Sequence, residues 1–509
     1  MIRSPSADYR RSHRQRRRPS YSLLTLVLAV VELLSGATAC RADPNPAGSS
    51  NTGRFAPTET RSLKAFGAIG DGRTDDTKAI VLAFASSDRY CLDGGGQTYR
   101  VMGTLRVAND LCLRNLTLIQ AAPPVDTSPY IKRSCPAIQD PSAVVDCNDP
   151  PVPSNKLAKL WASLSIRTLL MRSADDHPLR VNLSRVKIDR GPYAEQGSRS
   201  DSAAIWLDGA SRVDLQDVEI TGNGKGYGLQ ITNARNVTLT NLWVHDLVWA
   251  PYRGDQDLAD ARVSAVGWNS VPIHEFREQR RGQTGPAKFY GVRIQEQLTC
   301  LSLANVSHVR ISNLRIERCV ARFKFRNLPW QADGLDIGRS TSDVVVEGAR
   351  IDTTWEGMDV VAGGEGIDGL RVHDLTVSNS FSFGLKMGYR LRGARISGLN
   401  VNEAGLAGVV IYGPVRDVRL SRSLIQNVGI VGTAGVHYSP WPAGNRAGLR
   451  IDGSADSSPE NIVVEDMTVS GRPGEFEFGV LNTGGRRVHL SGLRASGFSL
   501  EKVRGVQGP

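Results

Sequence analysis

The stretch Val213-Asp214-Leu215-Gln216-Asp217-Val218-Glu219-Ile220 decides the fold, because its spacing of apolar residues recurs along most of the chain. Alternation of apolar and polar residues is typical of strands, so each copy predicts two short strands joined by a turn. Several copies are 24 or 26 residues apart. Further copies of this pattern, apolar-x-apolar-x-x-apolar-x-apolar, begin at Leu111, Val181, Val237, Val309, Val344, Leu370, Ala394, Ile462 and Val488, with an imperfect one at Val418 that Ser423 interrupts.

A second series, Gly-apolar-charged-apolar, begins at Gly334, Gly357 and Gly384, which are 23 and 27 residues apart. It supplies a third strand for each repeat, and three strands per repeat make one coil of a solenoid. The Val and Ile content suits stacked parallel strands, whereas the Leu/Asn consensus of a leucine-rich repeat is absent. The sequence therefore predicts an all-β fold, a right-handed parallel β-helix of about a dozen coils.

The second series also places charged side chains together. The middle residue of each apolar-x-apolar triplet points to the outer face of the solenoid, so Asp336, Asp359 and Lys386 are expected side by side on neighbouring coils. Asp333 and Glu356 stand just before two of the glycines. Two stacked carboxylates beside an ammonium, with two more acids next to them, form a candidate active site. The alternative is a solvated ladder of charges that partly cancel.

The first residues of the chain predict export. Residues 1–39 combine a basic region, an apolar run from Leu23 to Leu34 and the small-residue cleavage site Ala37-Thr38-Ala39, as a signal peptide does. The apolar run is too short for a transmembrane segment. Cleavage would leave Cys40 first, but Ala37 stands where a lipoprotein signal usually has Leu, so secretion or a periplasmic location is favoured over a lipid anchor. Residues 40–58, rich in Pro and Gly, predict a flexible linker.

Charge and cysteine content narrow the possible partners. The net charge is +11; residues 1–39 hold seven Arg against two acids, a surplus of five, so the remainder carries +6 (11 minus 5). This modest basicity suits an anionic polymer, and no motif for reading nucleic acid is present. An exported chain could oxidise its cysteines: Cys135 and Cys147 are a plausible disulfide, while Cys91 with Cys112 and Cys300 with Cys319 could equally stack as buried thiols. No pattern indicates a zinc site.

The start of the predicted domain carries a family resemblance. The stretch from Phe66 to Ile80, Phe-Gly-Ala-Ile-Gly-Asp-Gly-Arg-Thr-Asp-Asp-Thr-Lys-Ala-Ile, resembles the opening of β-helix proteins of the pectate-lyase superfamily. Independently of that resemblance, Asp75 or Asp76 can cap a short apolar helix that closes the end of the solenoid. The domain is predicted over residues 59–509, with insertions near 122–175 and 247–297.

The acidic stretches partly resemble polygalacturonase-like glycoside hydrolases. Gln331-Ala332-Asp333-Gly334 is similar to the Asn-Thr-Asp-Gly element of that group, and Trp355-Glu356 stands in its Asp-Asp position. Ser382-Phe383-Gly384 lacks the histidine of the group, and Val410-Ile411-Tyr412 lacks its Arg and Lys. The resemblance therefore implies a related carbohydrate-active enzyme, with strict polygalacturonase activity disfavoured.

Glycoside hydrolysis requires one protonated carboxyl and one carboxylate. We expect Asp333 and Glu356 to form this pair, with Asp359 or Asp336 adjusting them and with no cofactor. The alternative enzyme is a uronate lyase that acts by β-elimination, in which Lys386 is the base and the acids hold calcium. An alternative from another class is a non-catalytic carbohydrate-binding or envelope scaffold protein.

Four residues near the acids are predicted to bind the polysaccharide substrate. The alternating stretch from Arg322 to Arg326 puts Arg322, Lys324 and Arg326 on one face, where they could hold sugar carboxylates or sulfates, or could simply balance the acids. Trp355 is the aromatic candidate beside Glu356. Together they favour an acidic polysaccharide.

Overall fold

The computed structural model describes residues 59–121, 167–173, 177–191, 203–222, 226–249, 288–289, 292–293, 298–323, 328–330, 332–361, 365–380, 382–429, 446–454, 457–471 and 476–506. They belong to one compact unit, Phe55–Pro509. The predicted export signal and linker, Cys40, the Cys135–Cys147 pair and most of both predicted insertions lie outside the described residues. Among the residues described, no helix is both long enough and apolar enough to cross a membrane.

Almost all the regular structure is β-strand, as the repeat predicts. One α-helix, α1 (Thr77–Phe84), and one 3₁₀ turn (Leu63–Phe66) precede the third strand. The strands are β1 (Glu59–Ser62), β2 (Asp71–Asp75), β3 (Tyr90–Val101), β4 (Leu105–Val107), β5 (Leu111–Gln120), β6 (Arg167–Arg172), β7 (Leu179–Asp189), β8 (Ala203–Thr221), β9 (Gly226–Thr240), β10 (Trp243–His245), β11 (Val248–Trp249), β12 (Lys288–Phe289), β13 (Val292–Arg293), β14 (Leu298–Ser312), β15 (Arg315–Phe323), β16 (Leu328–Trp330) and β17 (Ala332–Gly338). They continue as β18 (Thr341–Glu347), β19 (Arg350–Thr354), β20 (Glu356–Val361), β21 (Ile367–His373), β22 (Thr376–Ser380), β23 (Phe383–Gly388), β24 (Leu391–Arg392), β25 (Arg395–Ser397), β26 (Asn400–Ala404), β27 (Ala407–Tyr412), β28 (Arg416–Val428), β29 (Ala447–Asp452), β30 (Glu460–Ser470), β31 (Phe476–Asn482), β32 (Arg486–Ser491), β33 (Arg494–Ser496) and β34 (Phe498–Arg504).

The strands stack in parallel from coil to coil, which makes the described chain a parallel β-helix. One stack, called the site sheet below, runs through β4, β6, the first parts of β8, β9 and β14, and then β17, β20, β23, β27, β29, β31 and β34. Most other strands form two further stacks that follow the same coils, while β12 and β13 make a separate antiparallel pair and β16 pairs antiparallel with β15. The predicted solenoid is confirmed, and β6 shows that residues 167–172 belong to it. Its right-handed sense, typical of parallel crossovers, remains a prediction.

A residue in the left-handed conformation makes the turn inside each apolar-x-apolar-x-x-apolar-x-apolar repeat. It is always the fifth residue of the repeat, for example Asp217 (φ 53°), Asn241 (φ 54°), Asn313 (φ 53°) and Asp374 (φ 55°). Asn, Asp and Gly tolerate this conformation best, which explains why they recur at this place. The apolar residues on either side, such as Val213, Leu215, Val218 and Ile220, point into the core and are at most 1% exposed.

A column of glycines marks a second corner of the coil, at the start of the site sheet. A Cβ on Gly334 would lie 2.6 Å from Ile351 Cγ2, and one on Gly384 would lie 2.5 Å from Val401 Cγ1. A Cβ on Gly357 would clash with Val377 Cγ1 and the Gly384 carbonyl oxygen. Interior valines and isoleucines of the next stack fill the space that these glycines leave.

Replacing one corner glycine is expected to destabilise the fold. Gly357→Ala forces the interior apart and should cost about 1–3 kcal/mol, as overpacking does. Gly338→Ala is the matched control, because its Cβ would meet nothing nearer than the Val361 carbonyl oxygen at 3.7 Å. Urea unfolding of both variants checks this; equal stability would contradict the packing role of the glycine column.

Helix α1 lies at the N-terminal end of the solenoid and packs its apolar side on the first coils. Ile80, Ala83 and Phe84 are buried in the same core as the strands. The structure decides between the two predicted capping residues. Asp76 occupies the N-cap position, but its carboxylate accepts hydrogen bonds from the Ile69 and Gly70 N–H groups, whereas Asp75 accepts one from Thr77 N–H at 3.0 Å. Asp75 therefore caps the helix and Asp76 holds the preceding turn.

Two disulfides are present in the described residues. They join the two cysteine pairs for which the sequence also allowed stacking as free thiols. Cys91 and Cys112 are register partners on β3 and β5 and are bonded across neighbouring coils. Cys300 and Cys319 are bonded within one coil, between β14 and β15. The sequence separations alone, 21 and 19 residues, did not distinguish these two arrangements.

Candidate active site

The strand register brings the predicted charged residues together on the outer face of the site sheet. Asp336 of β17 pairs with Asp359 of β20, and Asp359 pairs with Lys386 of β23. Asp333 pairs with Glu356 one coil on. We call Asp333, Asp336, Glu356, Asp359 and Lys386 the acid cluster.

The corner glycines explain why both acids of each strand reach the outer face. Strict alternation would put Asp333 and Asp336, three residues apart, on opposite faces. Gly334 breaks the alternation, because its Cβ direction points at interior Ile351 while the next residue, Leu335, is also fully buried. The same corner at Gly357 serves Glu356 and Asp359. A single glycine per coil thus doubles the number of acids that the outer face can present.

The acid cluster is closely spaced. Carboxylate oxygens of Asp333, Glu356 and Asp359 lie within 4.8 Å of one another. Lys386 Nζ donates to Glu356 Oε2 at 2.8 Å and to Asp359 Oδ2 at 3.0 Å. One ammonium therefore bridges two of the three carboxylates.

The carboxyl groups are buried, yet two of their oxygens have no hydrogen-bond partner. Asp333 is 4% exposed and Asp359 is 8% exposed. Asp333 Oδ1 and Asp359 Oδ1 each lack a donor within the described part of the chain. Buried polar atoms are normally satisfied, so such exceptions call for a functional explanation.

Burial raises the proton affinity of several of these acids. Burial and the charges of Glu356 and Asp359 raise the pKa of Asp333 well above its ordinary value. Burial, followed by the charge of Asp359, raises the pKa of Glu356 to about 8, although Lys386 opposes the shift. Burial and Asp359 raise the pKa of Asp336 to about 7, against the hydrogen bond that Ser302 Oγ donates to it at 2.9 Å. At neutral pH the cluster therefore retains protons.

The pKa of Lys386 is also raised, but here the neighbouring carboxylates and not burial cause the shift. Burial by itself would lower the pKa of Lys386, but the carboxylates of Asp359 and Glu356 outweigh burial and raise it. Lys386 stays an ammonium ion at neutral pH, which makes it a counter-charge and a poor base.

These pKa shifts predict how stability depends on pH. In the unfolded chain Asp336 ionises near pH 4, whereas in the folded chain it keeps its proton to about pH 7. Folding therefore takes up a proton between these values, and stability falls as the pH rises through this window. We expect Asp336→Asn to reduce this decline when melting temperatures are measured from pH 4 to pH 8. An identical pH profile in wild type and variant would contradict the shift.

Calcium, which the lyase alternative requires, fits the acid cluster poorly. Asp333, Glu356 and Asp359 could offer three oxygen ligands. However, Lys386 Nζ already lies within 3.0 Å of two of these carboxylates and supplies the positive charge that a metal ion would bring. A divalent cation bound there would face the ammonium directly.

Tyr412 is a neighbour of the acid cluster that the sequence analysis missed. It lies at the end of β27, in register with Gly388, and its ring would come within 2.5 Å of a Cβ on that glycine. Burial raises the pKa of the Tyr412 phenol, and the charges of Lys386, Asp359 and Glu356 all act on it. The position looked like a loss of polar groups in the sequence, but it brings a phenol within electrostatic range of the carboxyls.

The structure describes only some of the predicted substrate-binding residues. Trp355 is 5% exposed and packs in the hydrophobic core, which leaves its indole little surface for a sugar ring, and its role in substrate binding stays a prediction. The backbone of Arg322 pairs with Pro329 in an antiparallel hairpin of β15 and β16. Lys324 and Arg326 lie outside the described residues, and binding by these three cations remains a prediction.

Comparison with known proteins adds similarity of fold. No family model and no curated protein matches the chain. The surface adhesin PfbA of Streptococcus pneumoniae is 13% identical, with 87% of this chain and 91% of that chain covered and a TM-score of 0.44. A polygalacturonase from Erwinia carotovora is 10% identical, with 92% and 99% covered and a TM-score of 0.40. The catalytic unit of a GH87 α-1,3-glucanase from Streptomyces thermodiastaticus is 14% identical, with 88% and 71% covered and a TM-score of 0.34.

Fold and site together define a class of protein. The chain is a parallel β-helix protein with a buried cluster of carboxyl groups and one lysine on the outer face of one sheet. The likeness to the adhesin and the two glycosidases is too distant to assign an activity. Function must therefore be argued from the acid cluster.

Proposed function

We propose that this chain is an exported enzyme that hydrolyses glycosidic bonds in an acidic polysaccharide through the acid cluster. One observation carries the proposal: a carboxyl with a raised pKa, Asp333, lies within 4.8 Å of a carboxylate, Asp359, that is paired with Lys386. Glycoside cleavage requires two neighbouring carboxyl groups, one protonated and one ionised.

Asp333 is the proposed general acid. No ion pair in the described part of the chain joins a cation to Asp333, whereas Glu356 and Asp359 share Lys386. A proton kept on Asp333 can pass to the glycosidic oxygen as the bond between that oxygen and the anomeric carbon breaks.

Glu356 and Asp359 together form the proposed carboxylate partner of Asp333. Lys386 Nζ donates a hydrogen bond to each of them, so the two acids act as one unit. Asp359 Oδ1 has no hydrogen-bond partner in the described part of the chain, and its spacing from Asp333, within 4.8 Å, matches enzymes in which the second carboxylate attacks the anomeric carbon. A glycosyl ester of Asp359 forms as the leaving oxygen departs with the Asp333 proton; water then hydrolyses this ester, gives a proton back to Asp333 and releases the Asp359 carboxylate. This refines the expected Asp333–Glu356 pair by adding Asp359.

β-Elimination with calcium is the second candidate, and two observations favour hydrolysis over it. The raised pKa of Lys386 keeps its ammonium protonated, so it cannot remove a proton from the sugar. The same ammonium occupies the position of a cation between Glu356 and Asp359.

Export and an acidic substrate complete the proposal. The predicted signal peptide is supported by the two disulfides, which are typical of exported proteins. The net charge of +6 for the chain after residue 39 and the predicted cationic face of Arg322, Lys324 and Arg326 favour an anionic polymer.

A polymer screen tests this function. The mature chain is incubated with polygalacturonate, alginate, chondroitin sulfate and hyaluronan, with and without EDTA, and new reducing ends and ultraviolet absorbance of unsaturated uronates are recorded. We expect reducing ends without the absorbance, unchanged by EDTA. Unsaturated ends abolished by EDTA would establish the lyase instead. Binding without cleavage of any polymer would support the non-catalytic scaffold.

A further inference from the structure

We infer that Tyr389 and Tyr412 form a stacking subsite for a sugar ring of the polymer, on the C-terminal side of the acid cluster. This inference rests on the proposed function. Tyr389 directly follows β23, the strand of Lys386, and Tyr412 ends β27, the next strand of the site sheet.

Tyr389 exposes a large aromatic side chain to solvent. It is 50% exposed, one of five large hydrophobic residues exposed to this degree in the described part of the chain. The others are Ile69, Val81, Leu82 and Leu500, which lie near the two ends of the solenoid. Tyr389 is the one beside the acid cluster.

The backbone holds Tyr389 in a conformation that its side chain disfavours. Its φ is 40° and that of the next residue, Arg390, is 61°, so two consecutive non-glycine residues are left-handed. Glycine or asparagine would adopt these angles at less cost. Such strain is usually kept at functional positions, because a residue that only filled space would be replaced.

The two tyrosine rings support each other. They meet edge to face, with centroids 5.2 Å apart and an interplanar angle of 84°. The Tyr412 ring in turn rests on Gly388, where any side chain would collide with it. The half-buried Tyr412 thereby fixes the orientation of the exposed Tyr389 ring.

The position suits a polymer that lies along the solenoid axis. Equivalent residues on neighbouring coils are about 4.8 Å apart. Asp359, Lys386 and the Tyr412 coil follow one another in the register, so such a polymer would meet the carboxyls and then the tyrosines. The apolar face of a pyranose ring is the ligand that an exposed tyrosine ring accommodates, and its hydroxyl groups can reach the phenol oxygens.

Affinity electrophoresis of an inactive variant tests the subsite apart from catalysis. Asp333→Asn protein is run in gels that contain polygalacturonate, alginate, chondroitin sulfate or hyaluronan. In that background we expect Tyr389→Ala and Tyr389→Gly to weaken retardation by the bound polymer about tenfold, while Tyr389→Phe keeps it. Leu500→Ala, at a residue that is 53% exposed, is the matched control and should change nothing.

Thermal unfolding separates the subsite from a purely structural role. Glycine accepts the left-handed backbone, so Tyr389→Gly should melt at or above the temperature of its parent. A lower melting temperature with unchanged retardation would overturn the inference, as would the absence of retardation by all four polymers. Retardation that depends on Tyr389, combined with a wild type that cleaves none of the four polymers, would leave the subsite standing and refute hydrolysis.

Discussion

Lys386→Met is expected to lower stability at neutral pH by about 3–5 kcal/mol, the cost of leaving a buried charge without its partner. All three side chains are well covered: counting side-chain atoms alone, Lys386 is 19% exposed, Glu356 8% and Asp359 12%. Methionine preserves much of the side-chain length, so the loss of stability measures the contribution of the ammonium group. Unfolding in urea at pH 8 and pH 5 measures it. The deficit should shrink at pH 5, because protonation removes the uncompensated charge from the carboxyls.

An exposed ion pair provides the control for Lys386→Met. Arg419 contacts Glu465 at 2.7 Å, but its side chain is 59% exposed. Arg419→Met should therefore cost no more than about 1 kcal/mol, with little dependence on pH in this range. If Lys386→Met and Arg419→Met lower the free energy of unfolding by the same amount, the ammonium of Lys386 does not compensate the charge of the acid cluster.

Much of the fold could be predicted from the sequence, because the interior demands a strict apolar period. Val213, Leu215, Val218 and Ile220 repeat from coil to coil since each stacks on its equivalent in the next coil. The same period placed Asp336, Asp359 and Lys386 on one outer face, as the structure shows. Parallel stacking converts a sequence period directly into neighbours in space.

The remaining features depend on where the period breaks. The corner at Gly334 brings Asp333 to the same side as Asp336, and only the three-dimensional path of the coil reveals it. Trp355 was assigned to the substrate through its neighbour Glu356, but the adjacent corner turns the indole into the core. The left-handed turns do have a signal in the sequence, an Asn, Asp or Gly at the fifth position of many repeats.

The second large effect concerns turnover. Asp333→Asn keeps the shape of the side chain but removes the proton that the leaving oxygen needs. We expect a loss in kcat of about 10²–10⁴-fold, the usual contribution of general acid catalysis. Asparagine also removes an acid that is costly to ionise in this buried position, so the variant should unfold at the same temperature as the wild type or above it. Lost activity in a fully folded protein is the combination that a structural role would not produce.

The central claim, that the acid cluster cleaves the polymer, is tested most directly by comparing reducing-end release by wild type and Asp333→Asn at equal concentration on the polymer that the wild type degrades. Glu465→Gln, which removes an acid of the exposed Arg419 pair, is the matched control and should retain wild-type rates. The proposal predicts a rate for Asp333→Asn at least about a hundredfold below that of the wild type. Equal rates for Asp333→Asn and wild type would contradict it.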